Sequence, residues 1–289
     1  MKHTPDPQLL ERRIRILVVG CGGNGSAIAS GLPYLHQALL AFGHPGGLEV
    51  TLIDPDKISE TNCIRQPFCR TEIGLPKAVV LAHRTNLFWG LDWQGLQADI
   101  RQIAKGAEID FIIGCVDTRK ARRTINQWAL ASRVLYWLDL GNSASSGQFI
   151  LGQPANRVNR KKKHRLPSAA DLYPEILSAD AKEDDQPSCS AAEALTRQEP
   201  FINQNLAYQS LAMLTQLLHH GSLSYHGGFC NLITGQVVPL PICTIAPHKH
   251  RSDATRNNPS GHSDVRATSP LILSRRARGI EFSRQIIKQ

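Results

Sequence analysis

Four short stretches of this chain carry residues suited to handling phosphate. The first, Gly20-Cys-Gly22-Gly23-Asn-Gly25-Ser26, follows a β-branched run and precedes a helix-forming segment. A glycine turn between strand and helix lets the backbone approach a phosphate and aims helix N–H groups at it. Alone, the turn is ambiguous. A nicotinamide or flavin dehydrogenase would show the same pattern with an acid ending the second strand, as Asp54 does, and a packing turn with no ligand would need the same glycines. The residues after Asp54 separate these readings. Asp54-Pro-Asp56 is followed by Asn62, Arg65 and Gln66, and then by Gly74-Leu-Pro-Lys77. A hydride-transfer enzyme has no reason to set Arg and Lys beside the ribose. Cleavage of ATP between its α- and β-phosphates does, because negative charge develops on the departing pyrophosphate and on the phosphate under attack. Arg suits two-pronged phosphate contact and Lys acts as a point charge.

The elements that must position these residues follow from the apolar patterning. Arg15–Gly20, Leu48–Asp54, Asp110–Asp117 and Val134–Asp139 read as strands buried on both faces, and Lys77–Trp89 and Ala121–Ser132 have helical spacing. Strands alternating with helices predict an α/β, Rossmann-like, doubly wound and mostly parallel sheet. Between the glycine turn and Leu48 lies a long connection rich in Leu, Pro and Gly. Further on, Gly147–Gly152 reads as a short strand, Asn203–Leu218 as a one-faced helix, and Tyr225–Pro241 as a hairpin turning at Thr234-Gly235, which adds antiparallel strands at the C-terminal side. Residues 1–243 form the expected domain, with a crossing loop over about 153–188, and 244–289 a basic tail without periodicity.

These motifs, GCGGNGS, DPDxxxxxNxxRQ, GxPKA and CVDTRxxRxxIN (Cys115 to Asn126), resemble those of the ThiF/MoeB/HesA superfamily, the ubiquitin-activating-enzyme-like adenylating proteins. LDLGNSASSGQFILG, DLYPEI, PSCSAAEALTRQEPFINQ and YHGGFCNLITGQVVPLPI resemble the ThiF-related member of the PRTRC gene cassette, a plasmid-borne bacterial system with ubiquitin-conjugating-enzyme-related neighbours. The resemblance implies ATP-dependent adenylation of the C-terminal carboxylate of a ubiquitin-like or sulfur-carrier protein ending in Gly. Gly20, Gly22, Gly23 and Gly25 would form the nucleotide turn, and Asp54 would bind the ribose. Asn62, Arg65 and Lys77 would hold the triphosphate with Gln66 nearby, and Asp117 would bind Mg²⁺. Arg122 and Asn126 would support Asp117 from the following helix. Cys189, in Pro187-Ser-Cys-Ser, resembles the catalytic PxCT motif and would carry the acyl group as a thioester, whereas Cys21 and Cys115 read as structural. Arg65, Lys77, Asp117 and Cys189 are thus the expected catalytic set, with a conjugating-enzyme-related protein as a further partner and a homodimer as the family's usual assembly.

The chain also departs from the family. No RYSRQ-like segment precedes the glycine turn, leaving Arg12, Arg13 or Arg15 as substitutes, and the paired CxxC ligands are missing, so no zinc is expected. Seven cysteines at unpatterned spacings argue against a disulfide framework. No apolar stretch reaches a membrane span and the N-terminal residues do not read as a signal peptide, so a cytoplasmic protein without a membrane partner is expected. With 42% hydrophobic and 20% charged residues, a coiled coil or a disordered chain is excluded.

The net charge of +9 is local. Six basic residues and no acidic one lie in Arg157–Arg165 (RVNRKKKHR), and nine basic against three acidic lie in 244–289, leaving the rest mildly acidic. The RVNRKKKHR run could steer an acidic carrier, shield nucleotide phosphates, or be a solvated loop. It also sustains a second hypothesis, a plasmid-maintenance adaptor that keeps the nucleotide fold and binds DNA through its basic segments, chiefly the tail.

Overall fold

The apolar runs that alternate with helical segments become the centre of one sheet. β1 (Ile14–Val19) leads through the glycine turn into α1 (Gly23–Ala41), and β2 (Leu48–Ile53) follows. Next come α2 (Asn62–Arg65), α3 (Lys77–Trp89) and β3 (Gln94–Leu96), then β4 (Phe111–Gly114), α4 (Arg119–Ala131) and β5 (Tyr136–Asn142). The chain then forms β6 (Ser146–Gly152), α5 (Ala169–Leu172), α6 (Ile202–Leu218), β7 (Tyr225–Asn231) and β8 (Gln236–Pro241). This computed structural model describes residues 1–178 and 199–242, all within one compact unit, Met1–Ile242. Cys189, the acidic stretch 181–186 and the basic tail lie outside the described residues.

Among the described residues the sheet has eight strands in the order β3-β2-β1-β4-β5-β6-β7-β8. The first five in that order run parallel and the last three are added antiparallel, as the pattern predicts. Period-2 alternation divides the core. Ile14, Ile16 and Val18 join Leu48, Val50, Leu52, Phe111 and Ile113 under the helices α1, α3 and α6. Leu17, Val19, Ile53, Ile112 and Trp137 face the other way, against Ile125, Trp128 and Ala129 of α4.

Two departures from the sequence reading have clear causes. The Leu-, Pro- and Gly-rich connection is α1, a 19-residue helix that runs through Pro33. Ile28, Leu32, Leu35 and Leu39 are all buried at helical spacing, so packing outweighs the hydrogen bond lost at the proline. Gly31 lets α6 approach, since a Cβ there would lie 2.4 Å from a methyl of Leu211. β3, with three residues, is too short to show any period.

The first part of the crossing segment is tightly held. The Asn156 amide donates to the carbonyls of Ala129 and Val134, and the Asn159 amide to those of Val134 and Leu135. Both asparagines are buried. From there the chain passes α5, whose Ser168 N-cap and Asp171 form a reciprocal capping box, and reaches Leu177, whose carbonyl accepts from Arg123 Nε of α4. No described helix is long and apolar enough to cross a membrane.

Candidate functional site

β1 and β4 are neighbours, yet the chain leaves β1 toward β2 on one side and leaves β4 toward β5 on the other. The crevice beyond the C-terminal ends of these strands is the topological switch point, where open α/β sheets take their ligands. The glycine turn stands at its centre. Gly20 has φ +90°, and a Cβ on it would lie 2.8 Å from the Cys115 carbonyl at the end of β4. Gly25 packs tighter still, since its Cβ would come within 1.8 Å of the Gly20 carbonyl oxygen. Gly23 is covered by the Asn203 amide from the start of α6. Gly22 differs from all three. Its nearest neighbour would be Gln66 Nε2 at 3.8 Å, so the backbone here is open. No side chain caps α1, whose first-turn N–H groups lack helical acceptors.

Asp54, buried at the end of β2, ties the turn to its strand. Its Oδ2 accepts the Cys21 N–H at 2.5 Å and its Oδ1 accepts the Asp56 N–H at 2.8 Å. Burial raises its pKa above the ordinary carboxyl value, against the pull of those two N–H groups. A carboxylate offers about four lone-pair directions, so each oxygen keeps room for a further donor such as a ribose hydroxyl.

Lys77 opens α3 and is buried, with its ammonium 3.0 Å from Asp56 Oδ2 and its N–H on the Asp56 carbonyl at 3.2 Å. Asp56 therefore joins the DPD turn to the start of α3. Asn62 and Arg65 begin and end α2. Asn62 Oδ1 accepts the Ser59 N–H at 2.9 Å, which fixes the entry to that turn. Gln66 follows, facing Gly22 with its Oε1 buried and without a hydrogen-bond donor among the described residues. Asp117 is exposed just past β4, one residue before Thr118, whose hydroxyl caps α4.

The support expected for Asp117 is placed elsewhere. The Arg122 guanidinium turns down onto Asp139, with Nε 3.4 Å from Oδ2 and Nη2 3.3 Å from the Leu140 carbonyl. The reason is steric and electrostatic: Gly141 leaves space for the guanidinium, and Asp139 is a fully buried acid opposite Gly114 on the face that α4 covers. Burial pushes the Asp139 carboxyl up to about 6, with Arg122 opposing the shift. No contact joins Asn126 to Asp117 among the described residues. Of the three arginines available to replace an RYSRQ-like segment, two are committed at the far end of the sheet, Arg12 gripping Asp110 through both oxygens and Arg15 pairing with Glu108, while Arg13 is exposed. The RVNRKKKHR run hangs from Val134 and Leu135 at that same far end, so it does not shield phosphates in the crevice.

Sequence reasoning missed a set of amides beside the turn. Asn24 Nδ2 donates to Asn142 Oδ1 at 2.8 Å, linking the first turn of α1 to the end of β5, and Asn203 rests on Gly23. The only local signal was the Asn inside GCGGNGS. Burial holds the Cys21 and Cys115 thiols well above the usual thiol range, and Cys230 at about 11, which disfavours their thiolates. No described group of three or more His, Cys, Asp or Glu could hold a metal.

Comparison with known proteins agrees with this architecture. E. coli MccB solved with ATP is similar in fold, with a TM-score of 0.51, 16% identity, and coverage of 81% of this chain and 64% of that one. PaaA gives a TM-score of 0.50 at 14% identity, covering 79% and 64% of the two chains. This chain therefore spans less than two thirds of either protein. MccB solved with AMPCPP and MccA is comparable, at TM-score 0.51 and 16% identity over 81% of this chain and 65% of that one. No curated protein matches the sequence. The ThiF family model matches residues 5–253, and with the glycine turn, the buried Asp54 and the mixed sheet in place, the chain belongs to the ThiF family.

Proposed function

We propose that this chain is an ATP-dependent adenylating enzyme acting on the C-terminal carboxylate of a small ubiquitin-like or sulfur-carrier protein. One observation carries the reading: at the switch-point crevice, the open backbone of Gly22 at an uncapped helix start lies beside Gln66 and is tied through Cys21 to Asp54, whose Asp56 neighbour holds Lys77. The MccB structure with ATP supports the choice of nucleotide.

In this reading Gly20, Gly22, Gly23 and Gly25 shape the turn, and Asp54 takes the ribose hydroxyls on its remaining lone pairs. Lys77 exchanges Asp56 for a phosphate oxygen, and Arg65, Asn62 and Gln66 hold the triphosphate from α2. Asp117 has no hydrogen-bond or ionic partner among the described residues, which suits Mg²⁺, an ion that keeps most of its waters and accepts one carboxylate with phosphate oxygens. Mg²⁺ when bound would offset charge on the phosphates. The carrier's carboxylate oxygen attacks the α-phosphorus, the bond to the bridging oxygen of the β-phosphate breaks, and pyrophosphate leaves with that electron pair. An ionised carboxylate needs no general base. The rate then comes from holding the two reactants in line and from the cations facing the leaving group.

A second half-reaction would use Cys189: its thiolate attacks the acyl carbon, AMP departs, and a thioester forms. Support comes from the flanking chain. Leu177 is bonded to Arg123 in the second turn of α4 and Glu199 N–H to the Ala144 carbonyl after β5, both toward the crevice end of the sheet. The test is pyrophosphate exchange into ATP by the purified chain. Exchange is expected only with a Gly-ended carrier protein present, and ATP binding without exchange for every such carrier overturns the proposal.

A further inference from the structure

The basic run Arg157–Arg165 is divided by the fold into inward and outward cations. Lys162 reaches Asp6 with Nζ at 2.9 Å from Oδ2, and Arg165 grips Asp171 and the Gln153 carbonyl. These two pin the run to the N-terminal segment and to α5. Arg157, Arg160, Lys161 and Lys163 are exposed, and none has a side-chain partner among the described residues. The platform beneath them is preorganised: the Asn156 and Asn159 amides make four bonds to main-chain carbonyls, and Asn156 Oδ1 accepts the Val158 and Asn159 N–H groups. Arg133, next to the Val134 carbonyl that both amides hold, is exposed at the same end. A solvated loop would spend ordering entropy on its cations with each encounter; these are already displayed on a fixed turn.

The neighbourhood narrows the partner. No large apolar side chain between residues 131 and 178 is exposed. A protein partner needs a buried apolar or aromatic anchor at the centre of its interface, and a single-stranded nucleic acid needs aromatic faces on which to stack its bases. Leu130, 43% exposed and three residues before Arg133, is the one exposed apolar side chain bordering this stretch, and no Phe, Tyr or Trp is exposed between 131 and 178. Its cations match a ligand bound almost wholly by charge, with arginines suited to bidentate phosphate contact. We infer that the Arg157–Lys163 turn, with Arg133, binds the phosphate backbone of duplex nucleic acid without reading its sequence, at the end of the sheet opposite the nucleotide crevice. The site is independent of the adenylation reading, since the two lie at opposite strand ends.

The experiment uses the full chain, so that the basic tail is present in every sample. Binding to a 25-base-pair duplex is followed by fluorescence anisotropy from about 50 to 200 mM NaCl, with wild type beside the Arg157→Gln/Arg160→Gln/Lys161→Gln/Lys163→Gln variant. Each phosphate contact contributes about 0.9 to the slope of log Kobs against log salt, so four lost contacts lower its magnitude by roughly 3.6. That corresponds to about a hundredfold less salt sensitivity across the range. A fall of two or more, with pyrophosphate exchange and the urea midpoint unchanged, supports the site. A fall of less than two overturns it, as does absence of duplex binding by wild type. Displacement of the duplex by poly-glutamate at equal charge, or tighter binding of a single strand than of the duplex, also overturns it. Should the fourfold variant unfold, Lys161→Gln/Lys163→Gln carries the same test with an expected fall of about 1.8 and a boundary of one.

Discussion

The openness of Gly22 allows binding to be separated from folding with one methyl group. Gly22→Ala places a Cβ whose nearest neighbour is Gln66 Nε2 at 3.8 Å, an ordinary contact, on a residue with φ −76° and ψ −147°. With no clash to relieve, the loss of stability should stay near the ordinary single-mutant value of about 1 kcal/mol. The same methyl stands on the face that a phosphate must approach. Pushing the phosphate back weakens one or two charge-assisted bonds to the helix-start N–H groups, each worth about 1.5–3 kcal/mol. Loss of one to one and a half such bonds predicts about 2–4 kcal/mol, or roughly 30- to 1,000-fold weaker ATP binding. Gly25→Ala is the control with the opposite signature: its Cβ would lie 1.8 Å from the Gly20 carbonyl oxygen, a main-chain atom, so the turn must deform at a cost of about 3 kcal/mol. Isothermal titration with ATP and urea unfolding on both variants decide the matter. If Gly22→Ala binds ATP within threefold of wild type while remaining folded, phosphates do not approach this turn and the nucleotide reading fails. If Gly25→Ala is as stable as wild type, the packing of the turn is misread.

Lys77→Gln should change stability by less than about 1 kcal/mol, because its partner Asp56 is 65% exposed and readily solvated, yet lower pyrophosphate exchange by about 10²- to 10³-fold; exchange within fivefold of wild type would remove Lys77 from the site. Burial raises the Asp139 carboxyl to about 6, so its contribution to stability is present below 3.8 and lost as the pH rises through 6. Asp139→Asn should therefore flatten this step and raise stability at pH 7.5 by up to about 3 kcal/mol, and a loss of stability there would mean that the pairing with Arg122 outweighs burial. His3, hydrogen-bonded to the Tyr136 hydroxyl at 2.8 Å, is lowered from 6.5 to about 4 by burial and then by Lys162. The unfolded chain takes up this proton first, so stability falls from pH 6.5 toward 4, and His3→Gln should reduce that fall in urea midpoints; an unchanged pH profile would refute the assignment.

Much of the fold was legible because its strands are extreme. β1, β4 and β5 are apolar on nearly all of both faces, β2 carries Leu48, Val50, Leu52 and Ile53 buried, and Lys77–Trp89 was readable as a helix to its last residue. What escaped was set by neighbours distant in sequence. α1 opens where the glycine turn predicts a helix, but it continues through Pro33 to Ala41, packed where Gly31 admits Leu211 and Tyr208 from a helix some 180 residues later. The glycine turn, Asp54 and Lys77 could be found by spacing, since they sit at strand and helix ends that periodicity locates. The partner of Arg122 could not. Helical spacing from Asp117 suggests that residue, whereas the pairing of Gly114 with Asp139 brings a buried acid within reach from an adjacent strand.

Counting charge along the chain fails for the same reason, and the sheet direction repairs it. A run of six basic residues beside a loop expected to carry a catalytic thiol invites the idea that both serve one site. Yet Val134 and Leu135, which hold that run, precede β5, and β5 runs parallel to β1, whose far end carries the glycine turn. Each parallel strand therefore keeps the exposed cations and the crevice a strand length apart. At the crevice, Lys77 is buried against Asp56, while at the opposite end four cations stand exposed on a turn whose other two are consumed in holding it. Buried, singly paired cations suit a small nucleotide that must displace one counter-ion; exposed, unpaired ones suit a long polyanion that displaces only condensed salt. The two ligands would thus respond oppositely to ionic strength: duplex binding should collapse between about 50 and 200 mM salt while ATP binding, screened by the crevice, changes far less.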